Sequence, residues 1–512
     1  MKITKIFIFA LLLLPALYSC RQESDYIPSY SGTEGIILSG ADTSFTKQFE
    51  ALWTAINTNY TAWEIETVDW DEVRHKYRPR FVELDGLKSR NQVVDDKDFE
   101  NLYHEILDTL HDGHCNYSIK NLTTGKYISI APSVVRNARR FGKYANVAKT
   151  DYNIDYYRNE QTPKEERFEA FSDAIVSCSP VISQYLTAGI QQLNEELSKA
   201  TTEEEQTRLA AQIAELEQLY NSVDSFSPQA EAQLIGIYNQ KAATCHDARM
   251  PLYDTQIPDN LRIRVMSAIS NDGIAYMRFS GYQLTYYLTQ NPDIMPNATD
   301  AAIVRSVWNA YYLWFDNIQK LHAEGKLKGV IIDVRCNGGG SNTDQACVQG
   351  ALLPSGGYKA GTYKMKAGTG RLDYSVDYDY ITGTAPFSHE VIDDVPVIAL
   401  CDHHSASNAE MTSIIVKQMP NGVVVGSQTH GAMSCIDLFY PHTNSGVFGK
   451  QNETSIYGFQ PTSLMSYPGY GSLEGIGVTP SEGYNLEFDT QLYAAEGRDN
   501  QLEAALSCIR KK

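Results

Sequence analysis

Ser407 stands where a predicted strand changes into a helix, and this position suits nucleophilic chemistry. The strand 395–401 runs into a short polar turn, and a helix is predicted to begin at Asn408. The free N–H groups and the positive dipole end of a helix N-terminus face whatever lies beside them. Ser407 is therefore well placed to attack a carbonyl whose oxyanion is held by backbone donors. The alternative is a plain helix N-cap, for which serine is a favoured residue.

A second predicted strand ends in a glycine-rich loop that continues as Asn337-Gly338-Gly339-Gly340. Consecutive glycines just past a strand let backbone N–H groups approach a substrate closely. An N–H of Gly338 or Gly339, paired with that of Asn408, would complete an oxyanion hole. The alternatives are an ordinary turn or a phosphate-binding loop, but no Gly-Lys-Ser/Thr follows, which argues against a nucleotide site.

Five segments of the sequence form a recognisable series of motifs, at 329–340, 395–400, 405–410, 424–431 and 474–480. In this order they resemble the motifs of the C-terminal processing peptidase and tricorn-core family of serine peptidases. The N-terminal helical region, which ends in Leu110-His-Asp-Gly-His114, resembles that of the tricorn-like branch. The resemblance implies an α/β fold built as a ClpP/crotonase-like ββα spiral. It also implies amide hydrolysis through an acyl-enzyme, without a metal or organic cofactor.

The same resemblance implies the catalytic residues. The nucleophile is the serine three residues before a glutamate, which here is Ser407 before Glu410. The processing-peptidase branch places a lysine just after a Thr-x-Gly turn, where this chain has Ala432. The tricorn-like branch instead uses a histidine and an orienting glutamate, and His114 and Glu474 stand at the matching places. The plainer alternatives are a histidine that satisfies carbonyls at a helix end and a solvated loop carboxylate.

Other side chains compete for these roles or support them. His430, His403 and His404 lie closer to Ser407 in sequence, and His430 is the strongest rival for the general base. Asp112 is expected to cap its turn, although it can also help to orient it. Glu410 lies one turn into the nucleophile helix, where an acidic residue is stabilising, so we expect a structural role for it.

The apolar periodicity predicts how these residues are positioned. We expect an N-terminal helical domain over 42–120, a mainly helical insertion over 121–262, a catalytic domain over 263–495 and a C-terminal helix over 496–512. In the insertion, the runs 186–197 and 209–220 predict a helical hairpin whose second helix starts with the capping box Thr202-x-x-Glu205. The catalytic domain alternates strands and helices, predicted at 273–279, 302–321, 328–334, 395–401, 408–419 and 423–425.

The first residues resemble a bacterial lipoprotein signal. Lys2 and Lys5 precede an apolar run that is too short to span a bilayer, and Leu17-Tyr18-Ser19-Cys20 resembles a lipobox. We expect a signal peptide over 1–19, lipidation of Cys20 and a tether over 20–41. This places the protein in the cell envelope outside the inner membrane, at the periplasmic side or the cell surface.

The composition limits the partners. The formal charge of −19 becomes −21 when the two signal lysines leave, which disfavours nucleic acid and anionic lipid surfaces. No cysteine spacing indicates a zinc site. The predicted function is thus a serine-type peptidase that acts on peptides or unfolded proteins, with a membrane contact through the lipid anchor only. The alternatives are a catalytically silent peptide- or glycan-binding surface lipoprotein and an esterase with the same triad, while the oligomeric state stays open.

Overall fold

The computed structural model describes most of the chain from residue 40 onward. The described residues are 40–142, 152, 154–176, 190–191, 193–222, 263–295, 298–353, 357–382, 390–435, 446–449 and 453–511. The predicted signal peptide, Cys20, nearly all of the tether and the start of the predicted hairpin lie outside them. In this described part of the chain, no helix has the length and apolar character needed to cross a membrane.

Helices and strands alternate along the described chain, which confirms the predicted α/β class. Up to residue 222, the elements are α1 (Phe45–Asn59), α2 (Trp70–Ser89), α3 (Asp96–Leu107), β1 (Asn116–Lys120), β2 (Tyr127–Ile130), α4 (Pro132–Phe141), β3 (Phe168–Val176) and α5 (Glu203–Ser222). From residue 263, the strands are β4 (Ile263–Ser270), β5 (Ile274–Phe279), β6 (Gly329–Asp333), β7 (Tyr358–Met365), β8 (Tyr378–Thr382), β9 (Val397–Cys401), β10 (Gly422–Gly426), β11 (Val447–Phe448), β12 (Ile456–Phe459) and β13 (Ser463–Ser466). The helices of this stretch are α6 (Leu284–Leu288), α7 (Ala298–Ala323), α8 (Asp344–Gln349), α9 (Asn408–Gln418), α10 (Thr490–Glu496) and α11 (Asn500–Lys511).

A six-stranded sheet with the order β10-β9-β6-β5-β4-β3 forms the centre of the catalytic part. Strands β10, β9, β6 and β5 run parallel, whereas β4 and β3 are antiparallel additions at one edge. The carboxyl ends of parallel strands meet at one edge of a sheet, so the segments that follow β6 and β9 are brought side by side. These are the glycine loop and the Ser407 turn.

Both faces of this sheet are covered, as its continuous apolar strands require. Val330 and Ile332 pack in the same buried cluster as Trp314 of α7. Ile331, which points to the opposite face, packs with Leu506 of α11. Full burial of each such side chain is worth about 1.5–3 kcal/mol, so the two helices fix the sheet from both sides.

The strand that follows the N-terminal helices pairs with a distant part of the chain. The side chains of Ser44, Asp69 and Asp95 cap α1, α2 and α3 and confirm the predicted helical region. Strand β1 then pairs antiparallel with β12, in the sheet order β11-β12-β1-β2. Phe448 and Ile456 of these distant strands lie in the N-terminal core. The predicted domain 42–120 therefore does not close on itself, and the pairing fixes the segment that carries His114.

The described residues of the predicted mainly helical insertion over 121–262 form strands as well as helices. Strand β3 pairs with β4 as an edge of the main sheet, and β2 also falls within the predicted insertion. Alanine and glutamate in β3 weaken the alternation of apolar and polar residues that is typical of a strand. The extended conformation of β3 therefore depends on its pairing with β4. The second predicted hairpin helix is confirmed as α5, where Thr202 accepts a hydrogen bond from the N–H of Glu205 at 3.3 Å.

A buried ion network fixes the base of the glycine loop. The guanidinium of Arg335 contacts Oδ2 of Asp333 at 2.6 Å and Oδ2 of Asp499 at 2.8 Å, and it also donates to the side chain of Gln501 at 3.0 Å. All of these side chains are buried. Asp499 also accepts the N–H groups of Gln501 and Leu502 at the start of α11, so the network ties β6 to that helix.

Candidate active site

Ser407 has an unusual backbone conformation. It follows β9 and precedes α9, with φ 55° and ψ −121°. An L-residue held in such a region costs of order 1–3 kcal/mol, and this kind of strain clusters at functional sites. The surroundings hold it there: its N–H donates to the carbonyl of Ala432 at 3.0 Å and to Oε2 of Glu410 at 3.2 Å. Ser407 is thus the N-cap of α9, and its strained backbone distinguishes it from an ordinary cap.

The glycine loop lies directly against Ser407. A Cβ added at Gly339, where φ is +93°, would stand 2.5 Å from the Cβ of Ser407. Asn337 shapes this loop, because its Nδ2 donates to the carbonyl of Phe279 and its Oδ1 accepts the N–H of Gly339, both at 2.8 Å. The N–H of Gly339 thus already has an acceptor in Asn337, which makes it a weaker candidate for an oxyanion donor. Gly338 and Asn408 remain as candidate donors.

His114 and Glu474 approach each other from distant parts of the chain. A ring nitrogen of His114 and a carboxylate oxygen of Glu474 lie within 4.8 Å of each other, and an oxygen of Asp112 lies within the same distance of both. The Nδ1 of His114 has no hydrogen-bond partner in the described part of the chain. Burial lowers the pKa of His114, while the charge of Glu474 acts in the opposite direction. The neutral imidazole is therefore the stable form near neutral pH.

Glu474 is buried and connects two loops. Its Oε1 accepts the N–H of Gly113 at 2.5 Å, and its Oε2 accepts the N–H groups of Met433 at 2.8 Å and of Ser434 at 2.5 Å. With 2% of its surface exposed, it is not the solvated loop carboxylate that was the alternative. The same carboxylate therefore fixes the residue before His114 and the loop that follows His430.

Glu410 is a second carboxylate that accepts hydrogen bonds from loop residues. It accepts hydrogen bonds from the hydroxyl of Thr429 and from the N–H groups of Gly431 and Ala432, the latter two at 2.7 Å. Burial raises the pKa of Glu410 to about 7, and the charge of Glu474 adds to this, although the hydrogen bonds oppose it. These contacts agree with the structural role expected for Glu410.

Ala432 is the link between the segments of His114 and Ser407. A Cβ added at Gly113 would lie 2.5 Å from the Cα of Ala432 and 2.4 Å from the carbonyl oxygen of Gly431, so the two backbones touch. The carbonyl of Ala432 in turn accepts the N–H of Ser407. His114 and Ser407 therefore belong to segments that flank the same residue.

The rival histidines have partners of their own. The amide Nδ2 of Asn137 lies 3.1 Å from Nδ1 of His430, and burial together with the positive charge of Arg136 lowers the pKa of His430 to about 3. The Nδ1 of His403 lies 2.7 Å from the carbonyl of Gln428, and its Nε2 lies 3.0 Å from Glu487. The low pKa of His430 and the two engaged ring nitrogens of His403 make these histidines weaker candidates for the base than His114, whose Nδ1 has no partner among the described residues.

Helix α4 contacts several of these loops, and sequence reasoning missed this role. Arg136 donates to the backbone carbonyls of His111 and Asp112, and Arg140 donates to the carbonyl of Gly475 at 3.1 Å. Asn137 holds His430 as described above. The sequence signal was weak, because two arginines and an asparagine on a short helix usually form a solvated face. Only its tertiary contacts show that α4 holds these loops in place.

A strained serine between a strand and a helix, next to a glycine loop on an α/β fold, is characteristic of serine hydrolases. Residues 295–481 match the model of peptidase family S41, which supports membership of that family and a serine peptidase. The matched segment contains the glycine loop, Ser407 and Glu474 but not His114. The predicted enzyme class is thus confirmed.

Solved structures with similarity to this chain share little sequence with it. A candidate peptidase from Parabacteroides merdae is 15% identical over 91% of this chain and 97% of that chain, with a TM-score of 0.47. Mature CPAF complexed with lactacystin is 12% identical over 92% of this chain and 98% of that chain, with a TM-score of 0.43. A lipoprotein from Streptococcus agalactiae is 16% identical over 64% of this chain and 96% of that chain, with a TM-score of 0.33. No curated protein matches the chain.

Proposed function

We propose that this serine peptidase cleaves its substrate through an acyl-enzyme on Ser407, with His114 as the general base and Glu474 as the residue that orients it. The observation that carries the proposal is the convergence at Ala432, which contacts both the His114 segment and Ser407. The chain would then belong to the tricorn-like, lysine-less branch of its family. Ala432 itself occupies the position at which the other branch places a lysine.

The proposed reaction has two steps. The hydroxyl of Ser407 attacks the scissile carbonyl while its proton passes to His114, and the tetrahedral intermediate collapses as His114 returns that proton to the leaving amine. Water then attacks the acyl-enzyme in the same way and releases the acid and the free serine. The backbone N–H groups of Gly338 and Asn408 stabilise the oxyanion in both steps.

The role of Glu474 follows from its contacts. Its hydrogen bond to the N–H of Gly113 fixes the backbone one residue before His114, so it sets where the imidazole stands. Its negative charge also stabilises the imidazolium that forms during each step. The Nδ1 of His114 has no partner among the described residues, and a ring nitrogen of His114 lies within 4.8 Å of an oxygen of this carboxylate.

The substrate class and the cellular place are further parts of the proposal. Peptides or partly unfolded proteins outside the inner membrane are the proposed substrates, because the chain carries the features of an exported lipoprotein. Lipidation of Cys20 would tether the catalytic part to the envelope. The formal charge of −21 after signal removal favours neutral or basic peptides over acidic ones.

Hydrolysis of a quenched fluorescent peptide mixture of neutral and basic sequences tests the reaction. We expect turnover by the wild-type chain and a residual rate in Ser407→Ala that is lower by at least about 10³-fold. Ser405→Ala is the matched control, since Ser405 lies two residues away in the same turn and its hydroxyl donates to the carbonyl of Val334. Equal loss in both variants would mean that the turn, rather than the nucleophile, had been damaged.

Metabolic labelling with an alkyne-tagged fatty acid tests the anchor. Expression of the whole chain in a bacterial host should give a labelled protein, and Cys20→Ser should abolish the label. Cys435→Ser, which replaces a different cysteine of the chain, should keep it. A label that persists in Cys20→Ser would contradict lipidation at this residue.

A further inference from the structure

Asp112, His114 and Glu474 form a compact cluster of three groups that can bind a metal ion. One oxygen of each carboxylate and one ring nitrogen of His114 lie within 4.8 Å of one another. Asp112 has none of its surface exposed and Glu474 only 2%. Four-coordinate zinc with bonds of about 2.1 Å places its ligands about 3.4 Å apart, so small side-chain movements would bring all three into coordination.

Two atoms of this cluster lack a partner although they are buried. The Oδ2 of Asp112 and the Nδ1 of His114 have no hydrogen-bond partner in the described part of the chain. The other oxygen of Asp112 is occupied, since it accepts the N–H groups of His114 at 2.6 Å and of Cys115 at 2.9 Å. A buried polar atom without a partner costs about 1–3 kcal/mol, so a group that satisfies both atoms at once would bind favourably.

The charges of the cluster favour a divalent cation. The carboxylates of Asp112 and Glu474 share a buried site, and an oxygen of each lies within 4.8 Å of the other. Among the described residues, Arg136 forms no ion pair with either carboxylate, and its Nη1 donates to the backbone carbonyls of His111 and Asp112. One imidazole and two carboxylates are a ligand set that suits zinc better than magnesium or calcium.

We propose that Asp112, His114 and Glu474 bind Zn²⁺, and that the bound ion inhibits the enzyme by occupying His114. The proposal of zinc binding depends only on the geometry of the three side chains. The inhibition rests on the proposed function, in which His114 is the general base. Zinc at this place would be a reversible regulator of the peptidase, and the reaction itself would not use it.

Equilibrium dialysis of the purified chain against ZnCl₂, after treatment with EDTA, tests the binding. We expect one zinc ion per chain, and binding that is weaker by about 100-fold or more in Asp112→Asn and in His114→Ala. Asp112→Asn keeps the oxygen that accepts the two backbone N–H groups and replaces the unpartnered one with an amide nitrogen. The control is His322→Ala, which removes a surface histidine paired with Asp394.

The zinc affinities of the wild type and of the two site variants test whether the ion binds at this cluster. Equal zinc affinity in wild type and both site variants, or no zinc bound by the wild type, would overturn the proposal. Circular dichroism of each variant separates loss of a ligand from loss of the fold, and His114→Ala gives a second answer if Asp112→Asn does not fold.

A separate measurement tests the inhibition. Zinc should reduce hydrolysis of the neutral and basic peptides by the wild-type chain, and EDTA should restore it. If zinc binds at the cluster but does not change the activity, the proposed inhibition is wrong, whereas the proposed binding site still holds. If the chain showed no hydrolysis at all, the proposed function would fail while the dialysis result still stood.

Discussion

The backbone N–H of Gly113 donates a hydrogen bond of 2.5 Å to Oε1 of Glu474, although 361 positions separate the two residues in the chain. This bond joins the N-terminal helical region to the last loop of the catalytic part. It also fixes the backbone one residue before His114, the general base that we propose for Ser407. The site is thus assembled from three distant segments, and the predictions below test each connection.

Glu474→Gln should lower both activity and stability. Glutamine keeps one acceptor oxygen and turns a nitrogen donor toward either Gly113 or the pair Met433 and Ser434, whose N–H groups now meet the carboxylate. We expect a fall in kcat of about 10⁴-fold, the order found for loss of a triad carboxylate, and a fall of about 2–3 kcal/mol in the free energy of unfolding. Steady-state kinetics and urea unfolding measure the two effects.

The matched control for this variant is Glu487→Gln. Glu487 pairs with His403 but is 37% exposed, so we expect a change of less than about 1 kcal/mol in the free energy of unfolding. A Glu474→Gln enzyme that kept normal kcat would show that this carboxylate is only a structural link.

Gly339→Ala should damage the reaction far more than Gly338→Ala. A Cβ at Gly339 would stand 2.5 Å from the Cβ of Ser407, whereas a Cβ at Gly338 meets nothing within 4 Å. A misplacement of the nucleophile by about 1 Å costs about 10²-fold, so we expect at least that loss of kcat in Gly339→Ala. Gly338→Ala keeps its backbone N–H and should lose less than about tenfold. Similar kinetics in the two variants would argue against the close contact between the glycine loop and Ser407.

His430 should make the protein less stable in acid. Its folded-state pKa of about 3 lies below its ordinary value of 6.5, because of burial and the nearby charges of Arg136, His114 and His404. Between pH 6.5 and 3, His430 is therefore protonated in the unfolded chain but not in the folded chain. The free energy of unfolding falls as the pH drops from about 6.5 toward 3. His430→Gln removes the titrating group, so its free energy of unfolding should depend less on pH over this range. Parallel curves for both proteins would show that His430 is not the responsible residue.

Arg335→Met should destabilise the catalytic part strongly. The substitution leaves the buried carboxylates of Asp333 and Asp499 without their cation, which costs about 3–5 kcal/mol when one partner of a buried pair is removed. Arg498→Met is the control, because Arg498 is 37% exposed and pairs with Glu503 at the surface. Thermal unfolding should show a much lower Tm for Arg335→Met than for the control, and equal shifts would exclude a special role of the network.

Sequence patterns predicted the central strands, α7, α9 and the position of Ser407, since apolar periodicity and turn residues act locally. They did not predict the pairing of β1 with β12, because no local pattern reports a partner some 340 residues away. They also assigned β3 to a helical insertion, where the pairing with β4 overrides its composition. The engaged N–H of Gly339 depends on the orientation of Asn337, and the role of α4 depends on tertiary contacts.

The central claim is that His114 activates Ser407. The most direct measurement is labelling of the chain with a fluorophosphonate, followed by mass mapping of the adduct, in the wild type and in Ser407→Ala, His114→Ala and His430→Ala. We expect an adduct on Ser407 that disappears in Ser407→Ala and His114→Ala and persists in His430→Ala. An adduct that survives His114→Ala but is lost in His430→Ala, or the absence of any adduct on the wild-type chain, would contradict the account.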